Sequence, residues 1–127
     1  MTFFEDLPAQ CPPAAAADVP YQQIWRVVAD KNCNADEFKS HHARGQKKPP
    51  TVDECSYASC SLLTDFQKIK KLAKGLPKKR YPKPFIAELN IPMGSGLSVN
   101  NSKTSHVDFW MFKSFDPVSA IVQIVEA

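Results

Sequence analysis

The chain has 127 residues, 43% of them apolar and 23% charged, with a net charge of +3. That is one domain's length at near-globular composition, enough to bury a core and far from the disordered class. Its apolar runs are only a few residues long, which excludes a membrane-spanning helix.

The opening Met1–Leu7 carries Glu5 and Asp6 where a secretory signal would carry cations. The expectation is a cytoplasmic protein with no membrane partner. Its cysteines, Cys11, Cys33, Cys55 and Cys60, are then expected as reduced thiols. Residues 1–20 read as a flexible tail rich in Pro and Ala, and the domain proper spans 21–127.

Tyr21 to Ala29, with Ile24, Trp25, Val27 and Val28, reads as a strand. Asp36 is placed to cap a short helix through His42 that Gly45 would end. Lys47 to Pro50 is a turn or loop, and Tyr57 to Leu63 a short strand. Thr64 and Gln67 have capping-box spacing, and Phe66, Ile69, Leu72, Ala73 and Leu76 recur at helical period. This predicts the principal amphipathic helix over 64–74, stopped by Gly75 and Pro77. Three further strands are predicted over 84–91, 106–112 and 118–126, the last apolar on both sides and therefore central. Gly94, Ser95, Gly96, Asn100 and Asn101 mark a connection. The sum is a single α+β domain with a largely antiparallel sheet of about five strands.

Charge is unevenly spread. Residues 39–83 hold twelve Lys or Arg against Asp53, Glu54 and Asp65, a net of +9, while the remainder carries −6. Lys68, Lys70, Lys71, Lys74, Lys78, Lys79, Arg80 and Lys83 follow one another without an intervening acid. Such a run attracts phosphate backbones and makes binding salt-dependent. The alternative is a solvated helix face followed by a loop.

A second constellation is His106, Asp108 and Trp110, which share one face of a predicted strand. Asp108 can orient His106 as a general acid or base, and Trp110 can stack on a ring, with Arg26 as an anion clamp. The alternative is a Trp packed in a second core beside two solvated strand-end residues. His41 and His42 point apart, and Cys55 to Cys60 is one loose arm without a partner, so no metal site is expected. No cofactor is expected either, since Walker, dinucleotide and nucleophile-elbow motifs are absent.

The pieces Trp25-Arg26-Val27-Val28, Asp36-Glu37-Phe38 with His41, Ser61-Leu62-Leu63-Thr64-Asp65, Ile86-Ala87-Glu88-Leu89 and Ser105 to Trp110 resemble a group of small uncharacterised bacterial proteins. The resemblance spans about residues 21–126 and implies no activity. The leading functional expectation is a non-enzymatic binding module whose basic surface meets RNA or DNA. A small enzyme acting on a nucleotide or RNA, and a module that binds or inhibits an acidic protein, remain open beside it. A homodimer is a further partner expectation.

Overall fold

The computed structural model describes residues 2–127. Strand β1 (Tyr21–Val28) alternates sides along its inner half: Trp25 and Val27 point one way, Ile24 and Val28 the other, and all four are buried. It is therefore an inner strand with a core on each face. Around it lie β2 (Cys60–Leu63), β3 (Phe85–Ile91), β4 (Gly96–Asn101), β5 (His106–Met111) and β6 (Ile121–Glu126). They form one sheet in the order β4-β5-β2-β1-β3-β6, with every pairing antiparallel.

On one face, Trp25, Val27, Leu63 and Ile86 pack against Ile69 and Ala73 of α2 (Phe66–Lys74). Burying the Ile69 side chain alone is worth about 2 kcal/mol. On the other face, Ile24, Leu62, Leu89, Val107 and Phe109 enclose Phe38, with Phe4 and Phe115 packed against them. Phe38 arrives on a single 3-10 turn (Ala35–Phe38) capped by the Asn34 side chain.

The α+β class, the principal helix and the antiparallel sheet follow the sequence expectation, and the details differ for identifiable reasons. Asp65 rather than Thr64 caps α2, its carboxylate accepting from the Lys68 amide at 3.1 Å. The Thr64 hydroxyl instead donates to the Ser105 carbonyl. The expected 36–42 helix is only the 3-10 turn. A short helix α1 (Glu54–Tyr57), capped by Asp53, forms where none was expected. The sheet has six strands because β4, a Gly- and Asn-containing segment of low strand propensity, is held by its full register against β5. β6 lies at the edge rather than the centre. Only its Ile121 and Ile124 side turns inward, leaving Val122 59% exposed.

The segment expected as a loose tail is packed along the sheet. Phe3 bridges Phe112, the Phe4 amide donates to the Met111 carbonyl, and Ala17 exchanges both backbone hydrogen bonds with Ser98 on the free side of β4. Pairing at Ala17 blunts that edge. Asp18 accepts from the Gly94 amide at 2.8 Å, and Glu5 accepts from the amide and hydroxyl of Ser40. Cys11 and Cys55 form a disulfide with their Cα atoms 5.3 Å apart, correcting the expectation of four reduced thiols. The docked segment brings two cysteines 44 positions apart into contact, which spacing alone does not reveal.

Three expected outcomes rest on this packing. A Cβ added to Gly96 would sit 2.5 Å from the Trp110 carbonyl oxygen and 2.8 Å from the Met111 Cα, both backbone atoms of β5. Gly96→Ala should therefore cost about 2–3 kcal/mol, read as a lower urea midpoint at unchanged slope. Peptide mapping without reductant should recover Cys11 joined to Cys55, and reduction should lower stability by about 2–4 kcal/mol. Cys33 and Cys60 should stay unmodified by iodoacetamide in the native protein at about pH 8. Burial, then the neighbouring Glu37 carboxylate, pushes the Cys33 thiol up to about 11, and complete burial raises that of Cys60.

Candidate functional site: a cationic cleft where two strands part

β1 and β2 share a single register pair, Trp25 with Leu63. Continuing the ladder would place Val27 opposite Ser61, but the Arg26 side chain takes over there. Its guanidinium donates from Nη1 to the Ser61 carbonyl at 2.8 Å, from Nε to the Glu37 carbonyl at 2.8 Å and from Nη2 to the Lys39 carbonyl at 3.4 Å. Its cation also lies 5.7 Å from the centre of the Phe38 ring. A guanidinium spreads five N–H donors over three nitrogens in a fixed plane, so it serves carbonyls that lie on different sides of it. The strands consequently part, and a cleft of about 290 Å³ opens between the sheet, α2 and the 39–46 loop.

The cleft is lined by Arg26, Lys39, Arg44 and Arg80 together with Ser40, His41, Ser59, Ser61 and Tyr81. Arg44 braces the loop by donating to the Lys39 and Asp36 carbonyls. Arg80 stacks over the Tyr81 ring at 5.1 Å and reaches Glu37 at 3.9 Å. The exposed His41 ring lies on Tyr57, centres 5.4 Å apart. Four cations and no carboxylate line the cleft, with carboxylates close behind: Lys39 pairs with Asp36 at 3.1 Å, Arg80 lies 3.9 Å from Glu37, and Glu5 and Asp108 reach Ser40 and Ser59 on its wall. A wider groove of about 650 Å³ beside β6, lined by Met93, Phe115, Ile121 and Val122, holds no cation, and its one charged residue is Asp116.

Ser61 connects the cleft to the second constellation. Its Oγ lies 2.6 Å from His106 Nε2, and His106 Nδ1 lies 3.4 Å from Asp108 Oδ1. The contact arises from register: Ser61 pairs with Asp108, and Leu63 with His106, so all these side chains share one sheet face. The Ser56 hydroxyl donates to the same Asp108 oxygen at 3.1 Å. Ser59 Oγ also lies 3.1 Å from it while reaching the Ser56 carbonyl at 2.7 Å.

Asp108 therefore sits beside His106 as the sequence suggests. Trp110 does not serve as a stacking platform: it is 2% exposed, and its indole Nε1 donates to the Cys55 carbonyl at 2.9 Å. Arg26 lines the cleft, but its nitrogens are engaged by backbone, so it shapes the cleft rather than clamping an anion freely.

The lysine run divides. Lys83 is paired with Glu126 at 2.9 Å. Lys68 Nζ donates to Ser105 Oγ at 3.3 Å, next to His106, and Lys70 lies over the Phe66 ring. Among the described residues, none of Lys68, Lys70, Lys71, Lys74, Lys78 and Lys79 forms an ion pair. No group of three or more His, Cys, Asp or Glu side chains among the described residues is arranged to hold a metal ion.

Sequence reasoning missed Ser61, Ser59, Lys39, His41 and Arg44 as site residues, while Tyr81 is a residue it offers for packing against a sugar or base. The available signal was Ser59 and Ser61 alternating with the apolar Cys60 and Leu62, which marks a polar face on a buried strand. No family model matches the chain, and neither a curated protein nor a solved structure does.

If Arg26 holds the strands apart, Arg26→Lys should be costly despite keeping the charge. A single ammonium cannot reach three carbonyls, and the loss should be about 2–3 kcal/mol. Hydrogen exchange should accelerate first at residues 37–40.

Proposed function

We propose that the protein binds single-stranded nucleic acid, with the backbone lying over α2 and one nucleotide entering the cleft. The observation that carries this reading is the convergence of two cationic groups on one side of the molecule. The cleft supplies Lys39, Arg44 and Arg80, and α2 forms its rim through Ile69 and Leu72, with Leu76 just past the helix end. Leu72 is 45% exposed at that rim. Lys68 lies one turn before it on the same helix face and forms no ion pair among the described residues, so an ammonium group stands by the opening. Guanidinium and ammonium donors take phosphate oxygens, and rings such as His41 and Tyr81 offer faces to a base.

The cleft favours this reading over a flat electrostatic patch, because a volume of about 290 Å³ is close to the size range of small-ligand pockets. Among the described residues no helix is long and apolar enough to cross a membrane. A persistent disulfide argues for an oxidising compartment rather than the cytoplasm expected from the N-terminal residues.

The test is fluorescence anisotropy with a labelled single-stranded oligonucleotide at low salt. The logarithm of affinity should fall linearly with the logarithm of salt, with a slope of about −0.7 per phosphate contacted. Lys70→Glu combined with Lys71→Glu should weaken binding for all sequences alike, whereas Arg44→Ala should selectively lose competition by free mononucleotide. Failure to retain the oligonucleotide at low salt would end the proposal.

A further inference from the structure

We infer that Ser61 is a nucleophile, that His106 is its general base, and that the cleft cleaves phosphodiesters through an intermediate in which phosphorus, still carrying its second ester group, is bonded to Ser61 Oγ. The substrate class rests on the cleft being a phosphate site; the activation of Ser61 rests on separate geometry.

A serine hydroxyl is a weak nucleophile until a base sits within hydrogen-bond reach and a third group orients that base. Across two strands the base is within reach of the hydroxyl, and a carboxylate stands beside the base. Ser61 Oγ is 2.6 Å from His106 Nε2, and the far ring nitrogen faces Asp108 Oδ1 at 3.4 Å. With the imidazole proton on Nδ1, Nε2 is free to accept the serine proton, and Asp108 Oδ1 stands 3.4 Å from Nδ1 as a neighbouring charge rather than an aligned hydrogen-bond acceptor. Asp108 is itself fixed by the Ser56 hydroxyl. Ser61 is held by its carbonyl through Arg26 and lines the cleft with its side chain. Strand residues 61, 106 and 108 have little freedom to drift, as a pre-organised site requires. Mere hydrogen bonding on a solvated face would not place the hydroxyl in a cleft lined by Arg44, Lys39 and Arg80.

The step balances without a co-reactant other than water. Ser61 Oγ attacks phosphorus and its proton passes to His106 Nε2. The bond from phosphorus to the leaving oxygen breaks, and His106 returns that proton to the departing alcohol. Water then attacks phosphorus of the seryl diester, whose second ester group has stayed in place, giving one proton to His106, which restores it to Ser61 Oγ as the phosphomonoester leaves. The cleft cations offset the charge that builds on the phosphoryl oxygens. Asp108 is a positioning residue, acting through His106.

The test treats the full, oxidised chain with a fluorophosphonate and, separately, with bis(4-nitrophenyl) phosphate. Attack on the fluorophosphonate forms an Oγ–P bond and expels fluoride, and peptide mass spectrometry should place the adduct on Ser61. Nitrophenolate should be released from the diester. Ser61→Ala should abolish both signals. His106→Gln should slow both by about 10²-fold or more, and added imidazole should partly restore His106→Gly. Asp108→Asn should slow labelling, with partial recovery in Asp108→Glu.

Urea-unfolded wild type serves as the reference should a variant fail to fold: labelling there at the native rate, or none in the native protein, overturns the inference. An adduct elsewhere, or a His106→Gln variant as reactive as wild type, does the same. Labelling at Ser61 without diester turnover overturns the phosphodiester assignment alone. Labelling at Ser61 in a protein that binds no oligonucleotide overturns the nucleic-acid reading and leaves the activated serine standing.

Discussion

The guanidinium of Arg26 sets the geometry on which the rest of the structure depends. It stands where β1 and β2 would otherwise continue their ladder, and it fills the donor role of several backbone amides from a single side chain. Because its acceptors come from β2, the 3-10 turn and the following loop, one residue fixes the width of the opening and the path of the chain along its rim. Removing any one partner leaves a partly buried donor or acceptor unmade, and that asymmetry makes such a hub intolerant of change.

The second organising element is α1, only four residues long. Cys55 binds the N-terminal segment covalently and accepts from Trp110 through its carbonyl. Ser56 holds Asp108. Tyr57 carries the His41 ring and donates to the Lys47 carbonyl. A helix this short has no stability of its own. It persists because Cys55, Ser56 and Tyr57 are each tied to a different part of the fold, and it links the N-terminal segment to the carboxylate beside His106.

Much of this was legible in the sequence, for physical reasons. Helix α2 and strands β1, β3 and β5 declare themselves through apolar periodicity, because each buries a continuous face. The β2–β5 contact was half legible: His106 and Asp108 share a strand face at a spacing of two, but their partner Ser61 lies 45 residues upstream of His106. Only strand register brings them together. β4 was illegible because its stability comes from pairing rather than propensity. β6 misled because a strand apolar on both sides suits an edge whose outer side chains stay exposed as well as it suits a centre. The docking of residues 2–18 could not be read from a segment whose prolines and alanines signal only the absence of regular structure. Its anchors, Glu5 on Ser40 and Cys11 on Cys55, are long-range.

The Cys11–Cys55 bond also changes what the unfolded chain can be. It closes a covalent ring that contains all of β1, the strand bonded to both β2 and β3. Denaturing the oxidised protein cannot open this ring. The expanded state keeps a smaller hydrodynamic radius than a linear chain of the same length, and it exposes less surface to denaturant. Refolding then starts with the central strand already confined near the segment that will cover the sheet, so a shorter search separates the coil from the native topology.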